Sequence, residues 1–294
     1  MTRPSADEGT LAGLVARALD EDRADQDRTT RALMNRPTPA EATVTAQGEG
    51  VLSGMAAVGA MAHALGLTVV AASRDGRRVR PGTVVLRLRG DARTLLAAER
   101  TLLNFLMHAS GVASATRRAV AGARGAPRRL EVWATRKTLP GLRDLEKAAV
   151  VHGGGRPHRR DLSEAILIKN NHLALVPLPE ALRRAHARAA PGERVEVEVR
   201  SASEALQAAR AGAKALLIDN ASPARARAIV RALARAGLRR GRWVELSGGI
   251  TPETVSRYRS VGADAVSLGA LTHSAVAVPF HLTLRPARLR RIAS

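Results

Sequence analysis

The 294-residue sequence predicts an α/β protein whose second half contains a β/α barrel. Two observations favour this fold class. From residue 130 onward, short apolar segments recur about every 20 to 30 residues, with segments of helical spacing between them. Each apolar segment also ends in a polar residue or a glycine. Functional groups of a β/α barrel lie at the carboxyl ends of its strands, so this regularity favours a barrel. A doubly wound open sheet is the alternative.

The first hundred residues predict mixed helices and strands. Helical spacing over 11–20 and a run of small residues over 54–65 indicate two helices. Weak alternation over 43–50 and the segment 82–88 after a Pro-Gly turn indicate strands. Leucines at helical spacing then predict a long amphipathic helix over 91–110 that continues to residue 120.

The second half predicts a series of strands and helices. The predicted strands are 130–134, 165–168, 194–199, 215–218, 243–246 and 264–268. Helices are predicted between the later strands, at 203–211, 223–236 and 252–261. Thr251 followed by Pro252 has the pattern of a helix N-cap with proline at the first helical position.

The composition excludes several kinds of site and partner. The chain has no cysteine, which excludes disulfides, thiolate zinc sites and a cysteine nucleophile. Its net charge is +21, but the arginines are spread along the whole chain and aromatic residues make up only 2% of it. We therefore do not expect nucleic-acid binding. No apolar run suits a membrane span, and 1–20 lacks a signal-peptide pattern, so we expect a cytoplasmic protein.

Basic motifs over 134–172 predict a site for a small molecule with several negative charges. They contain Arg136 with Lys137, His158 with Arg159, and Lys169. The chain has only four lysines, and two of them fall in these motifs. A lysine kept in an arginine-rich chain indicates a need for a compact point charge. Together these cations would bind carboxylates or phosphates through charge-assisted hydrogen bonds, whereas solvated surface charge is the alternative.

Two glycine turns predict a phosphate site. The segments 247–250 and 267–270 follow the last two predicted strands and contain Ser247, Gly248, Gly249, Ser267 and Gly269. Loops after the last strands of a barrel present backbone N–H groups to phosphates. The alternative is a pair of tight turns without a ligand.

Acidic residues also stand at predicted strand ends. Glu198 and Asp219 lie in the basic neighbourhood, where they could hold Mg²⁺ or the hydroxyls of a sugar. Salt bridges to arginines of the barrel are the alternative. Glu196 faces the same side of its strand as Glu198, because the two are separated by one residue.

These motifs together resemble the quinolinate phosphoribosyltransferase family, the decarboxylating nicotinate-nucleotide pyrophosphorylases of NAD biosynthesis. They occur in order over nearly the whole chain and form a highly specific signal. The motifs are Asp27-Arg-Thr-Thr30, Glu99-Arg-Thr-Leu-Leu-Asn104, Thr135-Arg-Lys-Thr138, Pro140-Gly-Leu-Arg143, Gly153-Gly-Gly155, His158-Arg159, Leu167-Ile-Lys-Asn-Asn-His172, Glu196-Val-Glu198, Ile218-Asp-Asn220, Ser247-Gly-Gly-Ile250 and Leu268-Gly-Ala-Leu-Thr-His-Ser274.

The resemblance implies an N-terminal α/β sandwich domain over 1–120 and an open, incomplete α/β barrel over 121–277. The last strand, around 280–284, returns to the N-terminal domain, so 278–294 would join it. Family members are homodimers, sometimes hexamers, in which the neighbouring subunit completes each site. The arginine that matches Arg100 is the one that the partner contributes.

The resemblance also implies the reaction and the site residues. Phosphoribosyl would pass from phosphoribosyl pyrophosphate (PRPP) to quinolinate, with loss of CO₂. Lys137, Glu198 and Asp219 match catalytic positions, and the last two face the ribose end of PRPP, which carries the Mg²⁺, so no separate protein metal site is expected. The residues that match substrate-binding positions are Arg100, Thr135, Arg136, Lys137, His158, Arg159, Lys169, Glu198, Asp219, Ser247, Gly248, Gly249, Ser267 and Gly269.

Some positions depart from the family pattern. Ala134 stands where many members have Asp, Leu139 where many have Thr, and Asn170 where Asp is common. None of these removes a charged substrate ligand, but they leave room for a different acceptor. The alternative is therefore a paralogue, such as the pyrophosphorylase-like protein linked to molybdenum transport. The intact 168–172 favours the quinolinate enzyme. A basic nucleic-acid-binding protein that kept a barrel is a third, weaker alternative.

Overall fold

A computed structural model describes residues 10–287 of the chain. Residues 1–9, which begin the predicted domain 1–120, and residues 288–294, which end the predicted segment 278–294, lie outside the described residues. The chain divides into two compact units, one of 1–114, 139–153 and 275–294, the other of 115–138 and 154–274. Contacts thus group 139–153 with the first unit, although it falls within 121–277 in the sequence. The domain limits 1–120, 121–277 and 278–294 stay a prediction.

The described residues form ten α-helices and twelve strands. The helices are α1 (Leu11–Glu21), α2 (Arg28–Leu33), α3 (Met55–Ala64), α4 (Ala92–Ala123), α5 (Arg143–His152), α6 (Asn170–Leu173), α7 (Leu178–His186), α8 (Ala202–Arg210), α9 (Pro223–Arg235) and α10 (Ala270–His273). The strands are β1 (Pro39–Ala46), β2 (Gly50–Val51), β3 (Thr68–Ala72), β4 (Arg78–Val79), β5 (Val84–Asp91), β6 (Glu131–Trp133), β7 (Leu167–Ile168), β8 (Glu196–Val199), β9 (Ala215–Asp219), β10 (Trp243–Ser247), β11 (Ala265–Ser267) and β12 (Phe280–Pro286).

The first unit contains an antiparallel sheet with the order β12-β1-β5-β3. Along β1 every second residue is buried, which is the pattern of a sheet with one face against a core. The last strand, β12, pairs with β1 and so confirms the expected return of 280–284. The predicted strand 43–50 was placed about four residues too late, because alternation in this segment is weak.

The helices that were predicted in the first unit agree with their sequence signals, whereas α2 and α5 were not predicted. Helix α1 begins after Thr10, whose side chain accepts a hydrogen bond from the Gly13 N–H. Helix α4 is 32 residues long and confirms the predicted long helix, although it ends at Ala123 rather than at residue 120. Leucines at helical spacing along α4, including Leu95, Leu102 and Leu106, are buried.

The second unit contains a parallel sheet of the six predicted strands, in the order β6-β11-β10-β9-β8-β7. The first strand, β6, lies beside the last strand, β11, as it does in a closed barrel. The barrel is therefore open between β6 and β7. No ladder joins β6 to β7 in the described part of the chain. The expected open, incomplete α/β barrel is therefore confirmed. The doubly wound alternative was wrong, because in such a sheet the strand order runs outward in both directions from the middle of the sheet.

The predicted helix 252–261 was wrong. The structure has only a short 3₁₀ turn there, Val255–Tyr258. Thr254 Oγ1 accepts from the Thr251 N–H (2.9 Å) and also lies 3.3 Å from the Thr251 carbonyl, to which it donates. Such local side-chain bonds compete with helical bonds, so the Thr251-Pro252 signal does not start an α-helix. By contrast, Ser201 and Ser222 cap α8 and α9 as serine N-caps usually do.

Within the described segment 10–287, we find no helix with the combined length and apolarity needed to cross a bilayer.

Candidate functional site

Apart from His158 and Arg159, which line a cavity with Glu196, Ala215 and Trp243 at the starts of β8, β9 and β10, the predicted site residues of the second unit gather at one edge of the parallel sheet. Because all six strands run in the same direction, their carboxyl ends meet there. Register confirms the alignment: Ser247 pairs with Asp219 across β10 and β9, and Ser267 pairs with Trp133 across β11 and β6. Sequence reasoning thus located this edge correctly.

Glu198 is held among cationic and amide groups. It is 8% exposed, and Asn170 Nδ2 donates a hydrogen bond to Glu198 Oε1 at 2.8 Å. Lys169 Nζ lies 3.7 Å from Glu198 Oε2, and Arg200 lies 3.9 Å from Glu198 Oε1. The salt bridges considered as an alternative for Glu198 are therefore present, and they orient its carboxylate beside Lys169.

Asp219 ends β9, and the residue after it contacts the first glycine turn, which follows β10. The next residue, Asn220, has a left-handed backbone (φ 53°), and its N–H donates to the Ser247 carbonyl at 2.8 Å. Gly248 (φ 88°) lies so close that an added Cβ would be 2.6 Å from Asn220 N. Gly249 is also left-handed, at φ 62°. Only glycine fits Gly248, so the predicted tight turn exists, and its binding of phosphate stays a prediction.

The loop after β6 packs on the second glycine turn. Thr135 Oγ1 accepts from the Lys137 N–H at 3.0 Å, and Thr272 Oγ1 donates to the Lys137 carbonyl at 2.8 Å. A Cβ on Gly269 would lie 2.8 Å from Lys137 Cδ. The backbone of Lys137 is thus fixed while its ammonium remains exposed. Ser267 is buried, and its hydroxyl donates to the Leu246 carbonyl at 3.5 Å.

Arg136 and Arg159 bring two guanidinium groups close together. Burial, and then the charge of Arg136, lowers the pKa of Arg159 from its usual value. Arg159 Nη1 donates to the Ala165 carbonyl at 2.8 Å. Arg136 Nε is buried and has no hydrogen-bond partner among the described residues. A buried cationic donor without a partner is expected where an anionic ligand binds.

His158 is held in a strained position beside an acidic pair. Its backbone lies in the left-handed region (φ 55°), which is uncommon for histidine. His158 Nδ1 accepts the Arg159 N–H at 2.7 Å, and His158 Nε2 lies 3.4 Å from Glu245 Oε1. The imidazole also contacts Trp133 edge to face, with ring centroids 5.5 Å apart.

Glu196 on β8 and Glu245 on β10 line the same cavity as His158. They are 8% and 2% exposed, and burial, followed by the charge of Glu245, raises the pKa of Glu196 well above its usual value. Sequence reasoning noted Glu196 but gave it no role, and it missed Glu245. The available signal was an acid inside an otherwise apolar strand, but the sequence interpretation considered only residues at the ends of strands.

Among the described residues, one cluster could hold a metal ion: His158, Glu196 and Glu245. Each offers one ligand atom, and these atoms lie within 4.8 Å of one another. The hydrogen bond to Nδ1 argues against that use. An imidazole that accepts at Nδ1 carries its proton on Nε2, and a protonated Nε2 cannot ligate a metal. This nitrogen lies 3.4 Å from Glu245 Oε1, and no hydrogen bond joins the two atoms.

Arg100 is the one predicted site residue that the structure places in the first unit. It lies on α4, and its side chain is exposed. An exposed arginine is available to another molecule, but its predicted role in a neighbouring subunit's site stays a prediction.

Family models match nearly the whole chain. The N-terminal domain of quinolinate phosphoribosyl transferase matches residues 27–110, and the C-terminal domain of the same family matches residues 112–283. The boundary between the two models falls within α4.

Several known proteins are similar over most of their length. A probable nicotinate-nucleotide pyrophosphorylase [carboxylating] of Methanothermobacter thermautotrophicus is 40% identical over 261 residues, which cover 88% of this chain and 94% of the relative. The human nicotinate-nucleotide pyrophosphorylase [carboxylating] is 37% identical, with coverages of 94% and 92%. The crystal structure of NadC from Streptococcus pyogenes superposes with a TM-score of 0.83 at 37% identity, covering 93% of this chain and 97% of that one. The chain therefore belongs to the quinolinate phosphoribosyl transferase family.

Proposed function

We propose that the chain transfers phosphoribosyl from PRPP to quinolinate with decarboxylation, giving nicotinate mononucleotide, pyrophosphate and CO₂. One observation carries this proposal: the open edge of the barrel combines the buried, unpartnered Nε of Arg136 with the neighbouring cations Arg159, Lys137 and Lys169. Quinolinate carries two carboxylates and PRPP carries three phosphate groups, so both substrates need such a site. The curated relatives are named for this same pyridine-nucleotide chemistry.

The acceptor is assigned to the basic side of the edge. Arg136, His158, Arg159 and Lys169 would bind the two carboxylates of quinolinate by charge-assisted hydrogen bonds. Arg136 and Arg159 repel one another in the absence of substrate, and a dianion between them would relieve that repulsion. Binding energy is thereby directed to one orientation of the pyridine ring.

The donor is assigned to the glycine turns. Backbone N–H groups at Gly248, Gly249 and Gly269 would bind phosphate, with Thr135, Ser247 and Ser267 as the polar residues that frame these turns. The Lys137 ammonium would stabilise the departing pyrophosphate, because its backbone is fixed by Thr272 and its charge remains exposed. The packing of Lys137 on Gly269 supports this role, because Lys137 Cδ would lie 2.8 Å from a Cβ on Gly269.

The carboxylates of Glu198 and Asp219 would stabilise the positive charge that develops at the sugar carbon as the bond to pyrophosphate breaks. The pyridine nitrogen forms the new bond to that carbon. The carbon–carbon bond to the 2-carboxylate then breaks, CO₂ leaves, and the electron pair stays on the ring carbon next to the cationic nitrogen until a proton is taken up. No covalent intermediate with the protein is needed, which agrees with a chain without cysteine.

Carboxylate oxygens at the end of β8 and β9 suit Mg²⁺, and Glu198 and Asp219 are the residues that would face a Mg²⁺ carried by PRPP. Bound there, the ion would neutralise charge on the pyrophosphate. We also propose that the protein works in the cytoplasm as a homodimer, or as a hexamer, with Arg100 completing the site of the partner subunit.

The test is incubation of the purified protein with quinolinate, PRPP and Mg²⁺, and measurement of nicotinate mononucleotide and CO₂. Nicotinate serves as a parallel acceptor. Product from quinolinate alone supports the proposal. If neither acceptor reacts while PRPP still binds, the paralogue alternative gains support and the acceptor differs from quinolinate.

A further inference from the structure

Helix α9 carries three arginines along one face. Arg227, Arg231 and Arg235 follow one another at intervals of four residues, and residues at this spacing are neighbours on a helix surface. Arg231 and Arg235 are exposed and Arg227 is half-buried, whereas the inner face of the helix, with Ile229 and Leu233, is buried. The arginines are spread along the sequence, but folding collects these three into a stripe about 12 Å long.

Acidic residues do not balance this arginine stripe. Helix α9 contains no acid, and Asp219 is the only acid between residues 205 and 244. Asp219 ends β9 and so belongs to the edge of the sheet rather than to the helix. Like charges four residues apart destabilise a helix, so the stripe is unfavourable for α9 by itself. A partner that carries negative charge would offset this repulsion.

The elements beside α9 add cations to the same surface. Helix α8 ends in the exposed Arg210, and the 3₁₀ turn after β10 contains the exposed Arg257. The acids of these neighbouring segments are already engaged. Glu204 accepts a hydrogen bond from the Arg200 N–H at 2.7 Å, and Glu253 lies 3.8 Å from Arg118.

The exposed residues between the arginines narrow the kind of partner. They are alanines, including Ala224, Ala228 and Ala234. Protein partners usually bind through aromatic or other large anchors in pockets, and this face has neither. It also has no apolar side chain that could insert into a lipid surface. A symmetric contact between two copies through this face would oppose arginines to arginines.

A duplex nucleic acid fits a flat face made of arginine and alanine. Guanidinium groups bind phosphates through paired hydrogen bonds, and the small alanine side chains let the helix approach a phosphate backbone closely. The scarcity of aromatic residues argues against binding the unstacked bases of single strands. Binding to the backbone of a duplex needs only cations, so the same scarcity does not argue against it.

We propose that Arg227, Arg231 and Arg235 form a docking surface for the phosphodiester backbone of duplex nucleic acid. Phosphate contacts position a protein without reading bases, so binding is independent of sequence. This function goes beyond the transfer reaction proposed above, and none of the three arginines is assigned to a substrate. The contacts would release counterions from the duplex, so binding should weaken steeply as salt rises.

The test measures binding of the full chain to short labelled duplexes of DNA and of RNA over a range of salt concentrations. Wild type should bind with a dissociation constant of about 1 to 100 μM at physiological salt, as sequence-independent binding usually does. The double variant Arg231→Ala/Arg235→Ala should bind at least about tenfold more weakly at about 50 mM salt. Its slope of log affinity against log salt should be smaller by about two, one for each lost phosphate contact. The two duplexes show whether DNA or RNA is preferred.

The matched control is the double variant Arg183→Ala/Arg184→Ala. It removes the same formal charge from α7, but both of these arginines pair with Glu180. Its affinity for the duplexes should stay within about twofold of wild type. Equal weakening in both double variants would show that net charge alone governs binding and would overturn the proposal. Wild type that binds neither duplex at low salt, or binds vesicles of anionic phospholipid more tightly, would also overturn it.

Folding and turnover are measured on the same variants. Both double variants should match wild type in denaturant unfolding and in the transfer of phosphoribosyl to quinolinate. A lower kcat/KM for PRPP in Arg231→Ala/Arg235→Ala with unchanged duplex binding would overturn the proposal and assign the stripe to the attraction of anionic substrates. Duplex binding that depends on the stripe, in a protein without turnover, would support the docking surface and reject only the proposed transfer reaction.

Discussion

The side-chain amide of Asn170 donates a hydrogen bond of 2.8 Å to Glu198, the buried acid at the end of β8. Many family members have an aspartate at this position, and an ionised aspartate could not donate. In this chain Lys169 and Asn170 both lie at the start of the short helix α6. Asn170 contacts Glu198 as a neutral donor, and Lys169 contacts it as a cation. Both contacts fix the carboxylate that we assign to the ribose end of PRPP.

Asn170→Leu tests this relationship. Leucine has a similar size but offers no donor, so a buried carboxylate oxygen of Glu198 loses its partner. Hydrogen bonds to charged groups contribute about 1.5 to 3 kcal/mol, so kcat/KM for PRPP should fall at least about tenfold. Initial rates at fixed quinolinate measure the change. An unchanged kcat/KM would mean that Lys169 and Arg200 alone orient Glu198.

Gly248→Ala should damage the first glycine turn. The new Cβ would lie 2.6 Å from the backbone nitrogen of Asn220, and the backbone has φ 88°. We expect the free energy of unfolding to fall by about 1 to 3 kcal/mol and the PRPP KM to rise. Denaturant unfolding and initial rates measure the two effects.

Gly237→Ala is the matched control for this change. Gly237 also has a left-handed backbone (φ 69°), but no atom lies within 4 Å of an added Cβ. It should lose stability through backbone strain alone and keep the PRPP KM of wild type. A similar rise in the PRPP KM in both variants would contradict a phosphate role for the Gly248 turn.

Several parts of the fold and site followed from local patterns. The strands β9 and β10 were predicted within one residue, because each is an apolar run of strand length bounded by turn residues. The 3₁₀ turn Val255–Tyr258 was predicted as a helix, since hydrogen bonds between Thr251 and Thr254 leave no trace in the apolar spacing. Glu245 was missed for a related reason: its importance depends on Glu196 and His158, which only the folded sheet brings near.

Lys137→Ala should abolish turnover and leave the fold intact. The Lys137 side chain is exposed, and the backbone contacts of the residue to Thr135 and Thr272 do not involve the ammonium. Removing a group that stabilises charge in the transition state lowers kcat about 100- to 1000-fold. Circular dichroism and denaturant unfolding should match wild type. Activity close to that of wild type would exclude Lys137 from catalysis.

A mixture of Arg100→Ala and Lys169→Ala subunits tests whether two subunits share each site. Arg100 lies exposed in the first unit, whereas Lys169 contacts Glu198 in the second unit. Each variant alone should be nearly inactive. If Arg100 serves the neighbouring subunit, one site of every heterodimer contains both native residues. Random mixing would then restore about a quarter of the wild-type activity, because half of the dimers are mixed and each has one intact site.

If Arg100 serves its own subunit, no site in the heterodimer is intact. Heterodimers verified by differently tagged subunits that remain inactive would therefore reject the shared site.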